Sequence, residues 1–107
     1  YIGLKNSKTF CLAGLYDIWT DSDGNNLKTF TIITTQPNNT LKPIHSRMPV
    51  ILHEELEDQW LNTKTQDPDS IVRLLRSYPD DDMISHVVSS EVNNPENDNP
   101  QLIKQVH

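Results

Sequence analysis

Thr29-Phe-Thr-Ile-Ile-Thr-Thr35, Gln36-Pro-Asn-Asn-Thr-Leu-Lys42 and Pro43-Ile-His-Ser-Arg-Met-Pro-Val-Ile-Leu52 form one continuous stretch on which the reading of this chain turns. The β-branched run from Thr31 to Thr35 predicts a strand. Pro37-Asn38-Asn39-Thr40 predicts a turn-rich loop that ends it. Pro43 and Pro49 then bracket a short segment, each fixing its own φ and biasing Lys42 and Met48 towards extended backbone. Between the prolines stand His45 and, two residues on, Arg47. Imidazole can give or take a proton near neutral pH, and a guanidinium is a planar, permanently charged fork matched to phosphate or carboxylate. Without further context such a pair is more often a half-buried histidine bonded to backbone beside an arginine in a surface ion pair.

Upstream of this stretch, residues 1–19 read as two strands joined by the polar turn Lys5-Asn6-Ser7-Lys8. Residues 9–19 are mostly apolar, which predicts a strand buried on both faces or curling across a barrel wall, with Gly14 at a bulge or a close backbone approach. Cys11 lies mid-strand there and reads as a small buried apolar residue. Thr20-Asp21-Ser22-Asp23-Gly24-Asn25-Asn26 is the strongest turn in the chain. Its alternate acids begin like a calcium loop, but Leu27-Lys28-Thr29 stands where the remaining ligands belong, so no metal site is expected.

Downstream, Val50 to Leu52 reads as a short buried segment, and residues 54–61 as a short helix with Leu56 and Trp60 one turn apart on its inner face. Residues 62–66 read as a polar linker. Asp67 and Pro68 then form a cap and first position for a second helix, whose Ile71, Leu74, Leu75 and Tyr78 share one stripe. Arg73 and Arg76 fall off that stripe, facing solvent. Pro79 ends the helix, Asp80 to Asp82 form a turn, and a strand is expected at about residues 84–92. Asn93 to Pro100 has the composition of a flexible linker.

A chain of 107 residues suffices for one domain, but 35% hydrophobic content and a mean hydropathy of -0.60 are low for a domain that buries its own core. No run approaches the ~18 apolar residues of a membrane span, so no membrane partner is expected. One cysteine provides no disulfide framework and points to a reducing, cytoplasmic setting. The net charge of -6 argues against nonspecific duplex binding. The acids cluster at Glu54, Glu55, Glu57, Asp58 and Asp80 to Asp82, so residues 41–52, with Lys42 and Arg47, are expected to be locally electropositive. Three scattered glycines make no phosphate-cradling loop, and no cofactor is expected.

Pro43-Ile-His-Ser-Arg-Met-Pro-Val-Ile-Leu52 closely resembles the signature of the SRAP family, the SOS-response-associated peptidase domains that bind single-stranded DNA and crosslink covalently to abasic sites. Phe10-Cys-Leu-Ala-Gly-Leu-Tyr-Asp-Ile-Trp19 resembles the family's mid-domain hairpin. His86-Val-Val-Ser89, Val92 to Asp98 and Leu102-Ile103 resemble its closing segment. The resemblance runs through nearly the whole chain in the family's order. It implies an α+β fold, mainly antiparallel β with two short helices, and residues 1–107 as the C-terminal half of a single β-barrel-like domain.

The resemblance also implies that the family's nucleophile, an N-terminal cysteine freed by self-removal of the initiator methionine, lies outside these residues, along with a catalytic asparagine and glutamate. Cys11 is internal and has no free α-amine. Asp17 lies in a segment that matches a later family motif than the glutamate's. Of the catalytic set, His45 alone carries over, with Arg47 as a phosphate contact and Asn93 or Asn97 as amide contacts to backbone or nucleic acid. The expected partners are single-stranded DNA with an abasic site, and the missing N-terminal half or a self-associating copy. The alternatives are a non-catalytic single-stranded DNA-binding fragment and a structural half-domain remnant with open strand edges.

Overall fold

The computed structural model describes residues 1–6, 9–64 and 67–107. Ser7 and Lys8 of the expected first turn, and Thr65 and Gln66 of the expected linker, lie outside the described residues. In chain order the strands are β1 (Ile2–Leu4), β2 (Cys11–Leu12), β3 (Gly14–Thr20), β4 (Asn26–Ile32), β5 (Thr34–Thr35), β6 (Met48–Pro49), β7 (Ile51–Leu52) and β8 (Met83–Ser85). Helices α1 (Glu57–Leu61) and α2 (Pro68–Val72) stand between β7 and β8. All strand pairs are antiparallel and two-stranded: β1 with β8, β2 with β7, β3 with β4, and β5 with β6. This is the α+β, mainly antiparallel class that the sequence predicts, although no barrel closes among the described residues. The chain forms two compact units, Phe10–Asp80 and a second made of Tyr1–Thr9 with Asp81–His107.

Within Phe10–Asp80, three extended segments each change partner at one residue: Ala13 between β2 and β3, Ile33 between β4 and β5, and Val50 between β6 and β7. Those three residues bond one another in a closed ring. Ala13 N–H donates to Val50 O (2.8 Å), Val50 N–H to Ile33 O (2.9 Å), and Ile33 N–H to Ala13 O (2.9 Å). The expected strand from Thr31 to Thr35 is therefore present but is broken at Ile33 by the exchange. Each residue in the ring has both backbone groups satisfied at the point where a simple ladder would leave them unpaired.

The core sits on this junction. Ala13 and Val50 are fully buried and cluster with Leu52 and Leu74, against which Ile33, Leu56, Trp60, Ile71 and Leu75 pack. The inner-face pair Leu56 and Trp60 packs as its spacing predicts; Ile71, Leu74 and Leu75 reach the same core, although α2 ends at Val72 and does not run to Pro79 as expected, so Leu74 and Leu75 pack from the turn beyond it. A short 3-10 turn at Glu54–Leu56 leads into α1. Asp67 caps α2 ahead of Pro68, although its carboxylate accepts from Ser70 Oγ (3.0 Å) and, among the described residues, from no backbone N–H of the helix. Gly14 is needed for space: a Cβ there would lie 2.9 Å from Thr31 O, the close backbone approach the sequence suggests.

The hairpin β3–β4 pairs seven residues on each side, from Gly14↔Ile32 to Thr20↔Asn26. Its turn is closed by Asp21 N–H to Asn25 O (2.9 Å), with Gly24 at φ 83°. Asp21 Oδ1 accepts from the N–H groups of Asp23 (2.9 Å) and Asn25 (2.8 Å). These donors, Asn25 first, hold the Asp21 carboxyl below its usual range. The calcium-like spacing is therefore a turn motif, its first acid committed to backbone.

Three expectations are corrected here. Residues 9–19 are not buried on both faces: apart from Ala13 and half-buried Phe10 and Gly14, they are exposed. Cys11 is exposed as well. The apolar composition of this strand marks a surface left open within the described residues, where the sequence reading assumed a covered wall. Finally, the strand expected at 84–92 runs only over Met83–Ser85, because Ser89 caps a 3-10 turn at Ser90–Asn93 by accepting from Glu91 N–H.

In the other unit, β1 and β8 pair Ile2↔Ser85 through Leu4↔Met83. The ladder is extended by His86 N–H to Tyr1 O (3.0 Å), and the rings of Tyr1 and His86 stack at 4.8 Å. The polar tail is ordered by its own side chains. Asn97 Nδ2 donates to Glu91 O (2.9 Å), Asn94 Oδ1 accepts from Glu96 N–H (3.0 Å), and Asn99 caps a 3-10 turn at Pro100–Ile103.

The division between a buried junction and an open hairpin predicts opposite mutational costs. Leu52→Ala, at a buried position, is expected to cost about 2–5 kcal/mol in urea unfolding. Phe30→Ala, at a position 80% exposed, is expected to stay within about 0.5 kcal/mol.

Candidate functional site

The loop between β5 and β6 is tied off by overlapping turns. Lys42 N–H donates to Asn38 O (2.9 Å), while Leu41 O accepts from both Ile44 N–H (2.8 Å) and His45 N–H (3.0 Å). Leu41 and Met48 are buried and anchor the loop; Pro43, Ile44, His45, Ser46 and Arg47 are exposed. Pro43 sits inside the hydrogen-bonded turn, where its missing N–H leaves nothing unpaired.

His45 Nδ1 lies 3.0 Å from Arg47 N–H, which donates to it, and 3.1 Å from Arg47 O. A bare Nδ1 accepts from the first and a protonated Nδ1 donates to the second, so either form has a backbone partner. Nε2 has no protein partner among the described residues and faces solvent on an exposed residue. It is the ring atom free to exchange a proton with a bound molecule.

Arg47 is held across the mouth of the loop by Thr34. Its Nη2 donates to Thr34 O (2.8 Å) and to Thr34 Oγ1 (3.3 Å), and Nε donates to the same hydroxyl (3.3 Å). Nη1 makes no such bond among the described residues, so one end of the guanidinium remains for an anion. Thr34 was not singled out from sequence; its position one residue past the Ile33 break brings it to Arg47.

A clamp from residues 77–80 holds the base of the loop. Asn38 Nδ2 donates to Tyr78 O (2.7 Å), while its Oδ1 accepts from Leu41 N–H (3.1 Å). Asp80 accepts from Thr40 N–H (3.1 Å) and from Asn39 Nδ2 (3.1 Å). Ser77 Oγ donates to Gln36 O. Tyr78 is buried and its ring stacks on His53 at 4.5 Å, which ties the clamp to the end of β7. Asp80 therefore does not lie away from the loop, as the charge distribution in the sequence suggests, but is bonded to its base. The only sequence signal for Asn38 was its turn-forming context, and nothing local marks Asp80.

Asn93 and Asn97 lie in the other unit, at the end of one 3-10 turn and in the loop after it. Asn93 is exposed, and Asn97 spends its amide N–H on Glu91 O. Asp17 is exposed on β3, where its Oδ1 accepts from Ile18 N–H (2.8 Å). Glu57 accepts a hydrogen bond from the Cys11 thiol and raises its pKa, which favours the unreactive thiol over the thiolate. No group of three or more metal-type ligands clusters among the described residues. No helix among them is long and apolar enough to cross a membrane.

The clamp predicts that Asn38→Ala, which removes bonds to Tyr78 and Leu41 together, costs about 1–3 kcal/mol. It should also speed amide exchange at Leu41, His45 and Arg47 while leaving the amides of β1 and β8 unchanged.

The chain is 52% identical over 103 residues to the abasic site processing protein YoqW of Bacillus subtilis (strain 168), covering 96% of this chain and 46% of that protein. It is 34% identical over 99 residues to the rat abasic site processing protein HMCES, covering 92% of this chain and 28% of that one. A crystal structure of a protein from Bacteroides thetaiotaomicron superposes with a TM-score of 0.87 at 32% identity, covering all of this chain and 47% of that one. The chain thus spans about half the length of its bacterial relatives. The family model for SOS response associated peptidase (SRAP) matches residues 1–95, and the chain belongs to that family.

Proposed function

We propose that these residues form the C-terminal, proton-transferring part of a domain that recognises abasic sites in single-stranded DNA and crosslinks to them covalently. The observation that carries this reading is the exposed Nε2 of His45, in a ring whose Nδ1 has an Arg47 backbone partner in either protonation state. An abasic deoxyribose must open from its ring form before its aldehyde can react, and opening requires a proton to move onto the ring oxygen. Imidazole is suited to giving that proton and, on reversal, to taking it back. With Nδ1–H donating to Arg47 O, Nε2 is the acid when protonated and the base when bare.

The nucleophile is not among these residues. In this reading an N-terminal cysteine, lying outside them, condenses through its amine with the aldehyde, releasing water, and its thiol then adds to the resulting imine carbon. In the same reading, its exposure by self-removal of an initiator methionine would account for the word peptidase in the family's name. Cys11 is internal and held as a thiol by Glu57, so it does not serve. Arg47 supplies Nη1 to a phosphate next to the abasic sugar, with its other edge fixed by Thr34. In the other unit, exposed Asn93 and the carbonyl oxygen of Asn97 are proposed on their own account as amide contacts to nucleic acid. The names of the relatives, abasic site processing proteins, support the substrate class.

Two materials test this. The first is these residues joined to the part of YoqW that they do not match. With single-stranded DNA carrying one abasic site, it should give an adduct stable on a denaturing gel, and His45→Ala should slow its formation by about 10²-fold or more. The second is the chain alone, which should bind the same DNA without an adduct. Its log-log salt slope should fall by about 0.7 in Arg47→Ala, the loss of one phosphate contact on a single strand. An adduct unaffected by His45→Ala, or no adduct from the joined protein, contradicts the proposal.

A further inference from the structure

Two overlapping turns carry the chain from Asn38 to His45. Lys42 N–H donates to Asn38 O (2.9 Å) and His45 N–H donates to Leu41 O (3.0 Å), both bonds of the i to i+4 type, so residues 38–45 wind as a short helical segment ahead of β6. On such a winding, positions three apart stand on one side with Cβ atoms about 5–6 Å apart. Lys42 and His45 have that spacing and are exposed, while Leu41 between them turns inward and is buried. Lys42 makes no ion pair among the described residues. The carboxylate bonded to the loop, that of Asp80, is engaged by Thr40 N–H and Asn39 Nδ2. From Gln36 to Arg47 the chain therefore carries two cations, Lys42 and Arg47, and no acid of its own. One cation shares the winding with the imidazole, and the other is joined to it through the bond from Arg47 N–H to Nδ1.

We propose that Lys42 is a second phosphate contact, so that the His45 loop grips an abasic nucleotide through both of its phosphates, Arg47 on one and Lys42 on the other, with Nε2 of His45 between them. The proposal rests on the abasic-site reading and adds to it a binding residue and the atoms of the strand that it takes. Loss of the base removes the stacking face and the hydrogen-bonding edge by which a nucleotide is ordinarily held. What remains is a sugar with one phosphate on its 5′ side and one on its 3′ side. A single phosphate contact leaves that sugar free to swing, whereas a contact on each side holds its ring oxygen against a group lying between them. The two cations differ in the way such a grip needs. Arg47 is pinned along one edge by Thr34 and fixes the position of its phosphate. Lysine is a point charge with three donors on a flexible stem, suited to closing on the second phosphate once the first is seated.

The test uses the joined protein described above and single-stranded DNA in which a tetrahydrofuran replaces the abasic sugar; lacking an aldehyde, it binds without reacting. In two further strands the phosphate on the 5′ or the 3′ side of that sugar is an uncharged methylphosphonate. Lys42→Met should weaken binding about threefold and lower the log-log salt slope by about 0.7, Lys42→Arg should restore both, and the urea midpoint should stay that of the parent because Lys42 is exposed. Neutralising one flanking phosphate should weaken the parent but not Lys42→Met; neutralising the other should weaken the parent but not Arg47→Ala. A salt slope unchanged in Lys42→Met overturns the proposal, as does a Lys42→Met protein that stays sensitive to both phosphates or that loses sensitivity to the same one as Arg47→Ala. If abasic DNA still gives a His45-dependent adduct in that case, the phosphate grip falls and the abasic-site reading stands. The phosphate pattern expected here, found without a His45-dependent adduct, supports the grip and overturns the chemistry assigned to His45. Absence of any DNA binding overturns both.

Discussion

Three backbone hydrogen bonds, closed into a ring through Ala13, Ile33 and Val50, carry the organisation of the Phe10–Asp80 unit. Each of the three extended segments must leave one neighbour and join another at the same place, and an exchange of this kind ordinarily strands buried N–H and C=O groups. The ring satisfies all six groups of the three residues. It also explains why position 13 is an alanine and position 14 a glycine. Ala13 is fully buried at the junction, and a Cβ on Gly14 would press on Thr31 O.

From that junction the segments diverge with different fates. The pair β3–β4 leads away from it as the exposed hairpin, and the pair β5–β6 leads into the loop bearing His45. The loop inherits its geometry from the junction. Thr34, the first residue past the exchange at Ile33, holds the Arg47 guanidinium, and Arg47 in turn offers both backbone groups to His45. The arrangement fixes one nitrogen of an imidazole and one edge of a guanidinium, leaving the opposite atoms of each to solvent. The clamp from Asn38, Tyr78 and Asp80 keeps the loop base in place using polar groups bonded to one another, so that it costs no unpaired partner.

Much of this was legible in the sequence where local chemistry decides. The proline-bracketed His-Ser-Arg segment, the β-branched strand before it, the Asp-rich turn with Gly24, the Leu56 and Trp60 pair and the Asp67-Pro68 helix start all depend on neighbours within a few residues. What was misread depends on distant chain. Cys11 and the apolar run around it were expected inside because periodicity reports that a surface is to be covered, not what covers it. The strand expected at 84–92 stops early because Ser89 captures the backbone at Glu91, a side-chain competition that hydrophobicity does not register. Thr34, Asn38 and Asp80 were invisible as supports for the loop, since the contact from Asp80 to Thr40 spans 40 residues of sequence.

The most direct measurement is native-state hydrogen exchange on the isolated chain, resolved at the amides of Ala13, Ile33 and Val50. If the ring holds the unit together, these three should be among its slowest amides and should open with one shared free energy, equal to that of global unfolding. Exchange of any one of them at the rate of the hairpin amides, or three different opening energies, would contradict the claim that the fold and its His45 loop depend on this junction.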